Sequence, residues 1–171
     1  AIPSRWAGVV TGTPKVPSIF ASVHPETWVL DSDGQPEFSP FGPVCSVHHP
    51  AVLGFFRQQL ASMLEPWPFA GLMFAEPKNL EMRDYSEPAR DVAGSAVDDA
   101  DWHLQNHVGF LDRLCCWAKE LRPTIRTVVY VYSHYDRDVS EVFASRPSID
   151  EFGCDGRPWP LGVAATLDPN A

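Results

Sequence analysis

Twice in this sequence a helix-patterned segment runs almost directly into an apolar stretch the length of one buried strand. Residues 50–64 lead through Glu65-Pro66-Trp67-Pro68 into Phe69-Ala70-Gly71-Leu72-Met73-Phe74-Ala75, and residues 98–121 lead past Pro123 into Thr127-Val128-Val129-Tyr130-Val131-Tyr132. This alternation specifies an α/β fold, a parallel sheet with helical crossovers, because parallel neighbours need a long right-handed connection. In the first helix Val52, Phe55, Phe56, Leu60 and Met63/Leu64 recur at helical spacing, behind a proline at the first position. The second begins with Asp98, Asp99 and Asp101 and ends with Lys119 and Arg122, as the helix dipole prefers. Its apolar residues form two ridges, Leu104, Val108, Leu111, Cys115 and Ala118 beside Phe110, Leu114, Trp117 and Leu121. Both can bury against a sheet.

The remaining segments fit around that frame. Residues 6–10 and 16–23 lean towards strand, with Thr11-Gly12-Thr13-Pro14 turn chemistry between them. Residues 27–50 and 79–100 carry no periodicity and are expected as two long loops; Trp28, Phe38 and Phe41 suggest that the first is ordered and folded over a site. A short helix is expected near 139–145 and leads into residues 149–156, where Asp155-Gly156 is a turn signal. The 171 residues make one domain. Three or four strands are in prospect, whereas a closed (β/α)8 barrel takes about 250 residues, so this chain would supply roughly half of one. Half a barrel exposes two sheet edges and its inner face. The expectation is therefore a segment of a longer polypeptide, or a chain that pairs with another copy.

Charge narrows the partners. The net charge is −9 with no basic stripe, which speaks against nucleic acid and against anionic membrane surfaces. No apolar span is long enough to cross a bilayer. A neutral ligand suits such a chain, and carbohydrate suits its six Trp and four Tyr, whose flat faces stack on sugar rings while carboxylates accept hydroxyl protons. The four cysteines leave the compartment open, with cytoplasm slightly favoured over secretion. Cys115 and Cys116 project about 100° apart on a helix and should not pair with each other.

In α/β folds the chemistry gathers where strands end. The first strand ends in Glu76-Pro77-Lys78; Pro77 has no N–H to extend the ladder, which leaves Glu76 at a strand tip. Glu76 is the leading catalytic candidate, and its plain structural alternatives are a solvated loop glutamate or one paired to Lys78. The second strand ends in Ser133-His134-Tyr135-Asp136, and the 16–23 segment in His24-Pro25-Glu26. Candidate partners for Glu76 are Asp136, Asp84, Glu26 and Asp155. His24 and His134 could bond sugar hydroxyls, Trp28 could stack on a ring, and Asp150, Asp155 and Arg157 could shape the rim.

These strand ends, taken together, resemble those of glycoside-hydrolase-like (β/α)8 TIM-barrel proteins. In that family a His-Pro-Glu-Trp element precedes a Gly-containing turn; here it reads His24-Pro25-Glu26-Thr27-Trp28, followed by Asp33-Gly34. A Cys-Pro-Ser-Asn-Pro-like element then opens a helix, matched by Cys45-Ser46-Val47-His48-His49-Pro50. A strand Asp-Gly-(apolar)3-Asp-Glu-Pro follows, matched by Ala70-Gly71-Leu72-Met73-Phe74-Ala75-Glu76-Pro77, with alanine at both aspartate positions. The likeness spans about residues 18–135. It implies part of a TIM barrel and a hydrolase acting on glycosidic bonds, with Glu76 as general acid. Of the four candidate partners, Asp136 beyond the second strand is the expected second carboxylate. His24, Glu26, Trp28, Asp84, His134 and Asp155 would line the substrate site.

Glycoside hydrolysis needs two carboxyl groups about 5–5.5 Å apart for retention, and wider for inversion. No cofactor is expected: the chain has neither a Gly-rich phosphate loop nor a Gly-x-Ser-x-Gly elbow. His103 and His107 stand at metal-ligand spacing on a helix, but lacking the adjacent Glu they are read as bordering its apolar face. Cys45, His48, His49 and Cys154 match no standard zinc spacing. Two other functions stay open, a catalytically inactive carbohydrate-binding barrel remnant and a small acidic protein-interaction module.

Overall fold

The computed structural model describes residues 18–39, 42–75, 77, 80–132 and 137–155, with the backbone alone at Tyr132, Arg137, Asp138, Cys154 and Asp155. In chain order the elements are α1 (Ile19–Val23), β1 (Phe38–Ser39), β2 (Gly42–Pro43), α2 (Pro50–Leu64), β3 (Gly71–Ala75), α3 (Glu87–Ala93), α4 (Ala100–Leu121), β4 (Arg126–Tyr132), α5 (Arg137–Ala144) and β5 (Glu151–Asp155). Among the described residues no helix is long and apolar enough to cross a membrane.

The α/β frame is as the alternation requires. The main sheet runs β3-β4-β5, each pair parallel, with Met73 opposite Val128, Phe74 opposite Val129 and Tyr130 opposite Gly153. Strands that are neighbours in sequence are neighbours in space, α4 connects the first pair and α5 the second. α2 packs on α4, and α4 on α5, so these helices form one layer over one face of the sheet. Period-2 alternation turns Leu72, Phe74, Thr127, Val129 and Val131 into that layer, where they meet Val52, Phe56, Leu60, Leu64, Phe110, Leu114 and Cys115. On the other face Met73, Ala75, Val128 and Tyr130 are half-buried, and Arg126 pairs with Glu151.

Local chemistry sets the element ends. The His49 ring accepts the Ala51 N–H at 3.2 Å ahead of Pro50, and the Asp99 carboxylate accepts the Asp101 N–H at 2.9 Å ahead of α4. At the far end Arg122 donates to the carbonyls of Leu64 (2.6 Å) and Phe69 (3.0 Å), tying the last turn of α2 and the approach to β3 to the end of α4.

Several expectations need correcting. The strand foreseen over 16–23 is, from Ile19 on, helix α1: the Ser18 hydroxyl caps it by accepting the Ala21 N–H at 3.2 Å, and buried Ala21 faces the core. Residues 6–10, 16 and 17 lie outside the described residues. The sheet therefore lacks the strand that was to carry His24. Helix α3 arises inside a segment read as loop, where Ser86-Glu87-Pro88 is a helix-start signal. Strand β5 arises in a segment given no element, where the one signal read was the Asp155-Gly156 turn. Gly153 obscured it, and its absent side chain is required by the pairing, since a Cβ there would stand 2.9 Å from Cε1 of Tyr130. The described residues of the 27–50 loop are held by the β1-β2 pair and by bridges of Trp28 to Cys45 and Leu30 to Pro36; Phe41 lies outside the described residues.

Candidate functional site at the carboxyl edge of the sheet

Register brings the three strand ends to one edge: Ala75 lies opposite Tyr130, and Tyr132 opposite Asp155. Because α2 and α4 run back against the strands they precede, their first turns reach the same edge. Asp155 ends β5 there. Glu76, the residue after β3, and His134 and Asp136, which follow β4, lie outside the described residues.

Over this edge the loops are knitted by backbone bonds. Val29 N–H donates to Val44 O (2.8 Å), Ser46 N–H to Thr27 O (2.7 Å) and Tyr85 N–H to Leu30 O (2.9 Å). The last of these joins the segment leaving β3 to the segment leaving α1. Of the candidate residues, His24 and Glu26 lie together on the outer rim, Nδ1 to Oε1 2.8 Å, with both side chains substantially exposed. That bond holds the Glu26 carboxyl below its usual range. The His24 ring rests 4.6 Å from Phe20, which stacks on Phe55 of α2. Trp28 is half-buried. Its indole N–H donates to the Ala21 carbonyl at 2.6 Å and its ring meets Phe38 edge-on, so it joins α1 to the loop.

Asp84 sits inside, not on the rim. It is fully buried, and Oδ1 accepts the Ser86 N–H at 2.9 Å in an Asx turn leading into α3. Its own N–H donates to His103 Nδ1 at 3.3 Å, while His103 Nε2 lies 2.7 Å from the Val97 carbonyl. An acceptor at Nδ1 and a donor at Nε2 make His103 the neutral Nε2–H tautomer. One turn further on, His107 is buried with Nδ1 directed at Leu80 O (3.5 Å), and burial pushes it down to about 4. His103 and His107 therefore do not border the apolar face but continue it inward, beneath the 80–86 loop. The spacing 103-107-110-114 already placed them on that stripe; only the covering loop was invisible in the sequence.

His48 completes the group. Its ring stacks on Trp102 at 5.1 Å, and Trp102 meets His103 edge-on at 4.8 Å. Burial lowers the His48 pKa, opposed by the Asp84 charge. Of the four zinc candidates, His49 caps α2, Cys45 is buried and accepts from the Thr27 hydroxyl at 3.2 Å, and the Cys154 side chain is not described. Among the described residues no three His, Cys, Asp or Glu side chains are grouped to hold a metal ion. Asp150, foreseen on the rim, is at the opposite edge. There it bonds Lys119 at 2.7 Å and the Thr127 N–H at 2.8 Å, which hold its carboxyl below the usual range. Arg157 lies outside the described residues.

No protein-family model matches this chain, and no curated protein matches it either.

Proposed function

We propose that this chain forms part of a glycoside-hydrolase-like (β/α)8 barrel that acts on carbohydrate by carboxylate acid–base catalysis. The observation that carries the reading is the sheet's winding. Strands β3, β4 and β5 follow one another in chain order with their helices on one face, as in a barrel wall, and their carboxyl ends share an edge. In sequence that edge is acidic: Glu76 directly follows β3, Asp136 comes four residues after β4, and Asp155 ends β5. Barrel closure would turn the Met73, Val128 and Tyr130 face inward. In this reading Glu76 protonates the leaving oxygen and Asp136 is the second carboxylate. His24, Glu26, His134 and Asp155 bind hydroxyls, Trp28 forms a rim wall, and Asp84 holds the loop beneath.

A second reading, carbohydrate binding without turnover, is favoured by Ala75, which ends β3 where the family's motif has an aspartate. Kinetics decide between them. Glu76→Gln should lower kcat on a natural oligosaccharide by about 10²–10⁴-fold, and by much less on a nitrophenyl glycoside, whose leaving group needs little protonation. Equal, small losses on both substrates remove Glu76 from the mechanism. Glycan binding by a chain with no turnover selects the second reading, and no glycan binding at all sinks both.

A further inference from the structure

Among the described residues, three polar atoms at the carboxyl edge are shut off from solvent and have no hydrogen-bond partner: His48 Nε2, Asp84 Oδ2 and Ser86 Oγ. Leaving such a group unpaired forfeits its hydration with nothing in return, so three of them in one neighbourhood point to a shared partner. The neighbourhood is continuous. Ser86 N–H bonds the other oxygen of the same Asp84 carboxylate, Asp84 N–H bonds His103, and His103 touches Trp102, on which His48 stacks. Asp84 and His48 also lie within electrostatic reach of each other. Ser86 is informative in its own right. It occupies the N-cap of α3, where a serine hydroxyl normally accepts a backbone N–H, yet here it makes no such bond.

We propose that these three atoms converge on a single ordered water, which links the 44–49 loop, the 80–86 loop and the start of α3. The donor and acceptor inventory selects the ligand. An ionised Asp84 oxygen only accepts, His48 Nε2 accepts when the ring carries its proton on Nδ1, and the Ser86 hydroxyl is free to donate. Two acceptors and one donor complement the two hydrogens and the lone pairs of water, and buried waters typically make about three such bonds. An ammonium ion, with hydrogens alone, would leave the Ser86 proton unmet. The assignment stands whether or not the domain cleaves glycosides.

Two measurements on the unmodified chain test it. A crystal structure fine enough to place waters should show one density peak within about 3.2 Å of all three atoms. Long-range ¹H–¹⁵N spectra at neutral pH should report His48 as the Nδ1–H tautomer, with His103 as the Nε2–H tautomer serving as an internal control. Either of two crystallographic results overturns the proposal: a peak that touches fewer than all three atoms, or a direct bond among the side chains. So does a His48 proton on Nε2.

Discussion

Arg122 shows how much one side chain can organise from the end of a helix. In the sequence it reads as a cation placed to suit the α4 dipole, worth some tenths of a kcal/mol. In the fold its guanidinium reaches two carbonyls, those of Leu64 and Phe69, and so pins the turn that delivers β3 into the sheet. Arg122→Met keeps the aliphatic stem and strands both carbonyls. Net bonds to a charged donor are worth about 1.5–3 kcal/mol, and the partial exposure of this site argues for the lower end. The expected loss is therefore about 2 kcal/mol, read as a lower urea midpoint with an unchanged m-value. Arg122→Lys should restore only part of it, since an ammonium lacks the planar fork that serves two acceptors at once. A midpoint unmoved by the methionine variant would reduce Arg122 to a surface charge.

Among the elements, α4 was legible to within two residues at its start and to the residue at its end, because its cap and its stripe point to the same answer. Asp99 accepts the Asp101 N–H and the buried stripe runs from His103 to Ala118. Asp99→Ala should cost about 1 kcal/mol, measurable by thermal unfolding, while Asp98→Ala just outside the helix should cost almost nothing. Equal effects at the two positions would make the loss a matter of net charge instead of capping. Helix α2 and strands β3 and β4 were legible for the same reason, local pattern and burial agreeing over a whole element. Helix α1 was not. Its Ile19, Phe20 and Val23 favour strand, and the Ser18 cap together with Trp28 donating to Ala21 outweighs that preference. Strand β5 was hidden because its evidence is the partner strand: Gly153 looks like a turn until Tyr130 lies across it. The candidate site divides in the same way. Its strand-end positions could be listed from the sequence, whereas the His48, Asp84, Ser86, His103 and His107 group needed two loops and a helix to be brought together.

For the whole molecule that buried group ties stability to pH. His107 is neutral in the fold and pushed down to about 4, chiefly by burial, against an ordinary value of 6.5. Its folded proton affinity is depressed, so the unfolded chain takes up the proton first as pH falls. Above about 6.5 His107 is neutral in both states and costs nothing. Between 6.5 and about 4 stability falls, by up to about 1.4 kcal/mol per pH unit, and the total reaches about 3 kcal/mol before levelling off. His48, also lowered by burial, adds a loss of the same sign. Asp150 acts in a different window: its carboxyl is depressed below 3.8 by Lys119, so its contribution disappears only under more acid conditions. Urea unfolding followed from pH 7.5 to 4.5 should therefore stay level to about 6.5 and then lose stability steadily, with most of the loss coming before the carboxylates titrate. His107→Leu removes one of the titrating groups, and its profile over that window should be flatter than the parent's even if its absolute stability is lower. A parent profile that stays level down to pH 4.5 would mean that His107 is solvated or charged in the fold, and that the 80–86 loop does not close over α4 in solution.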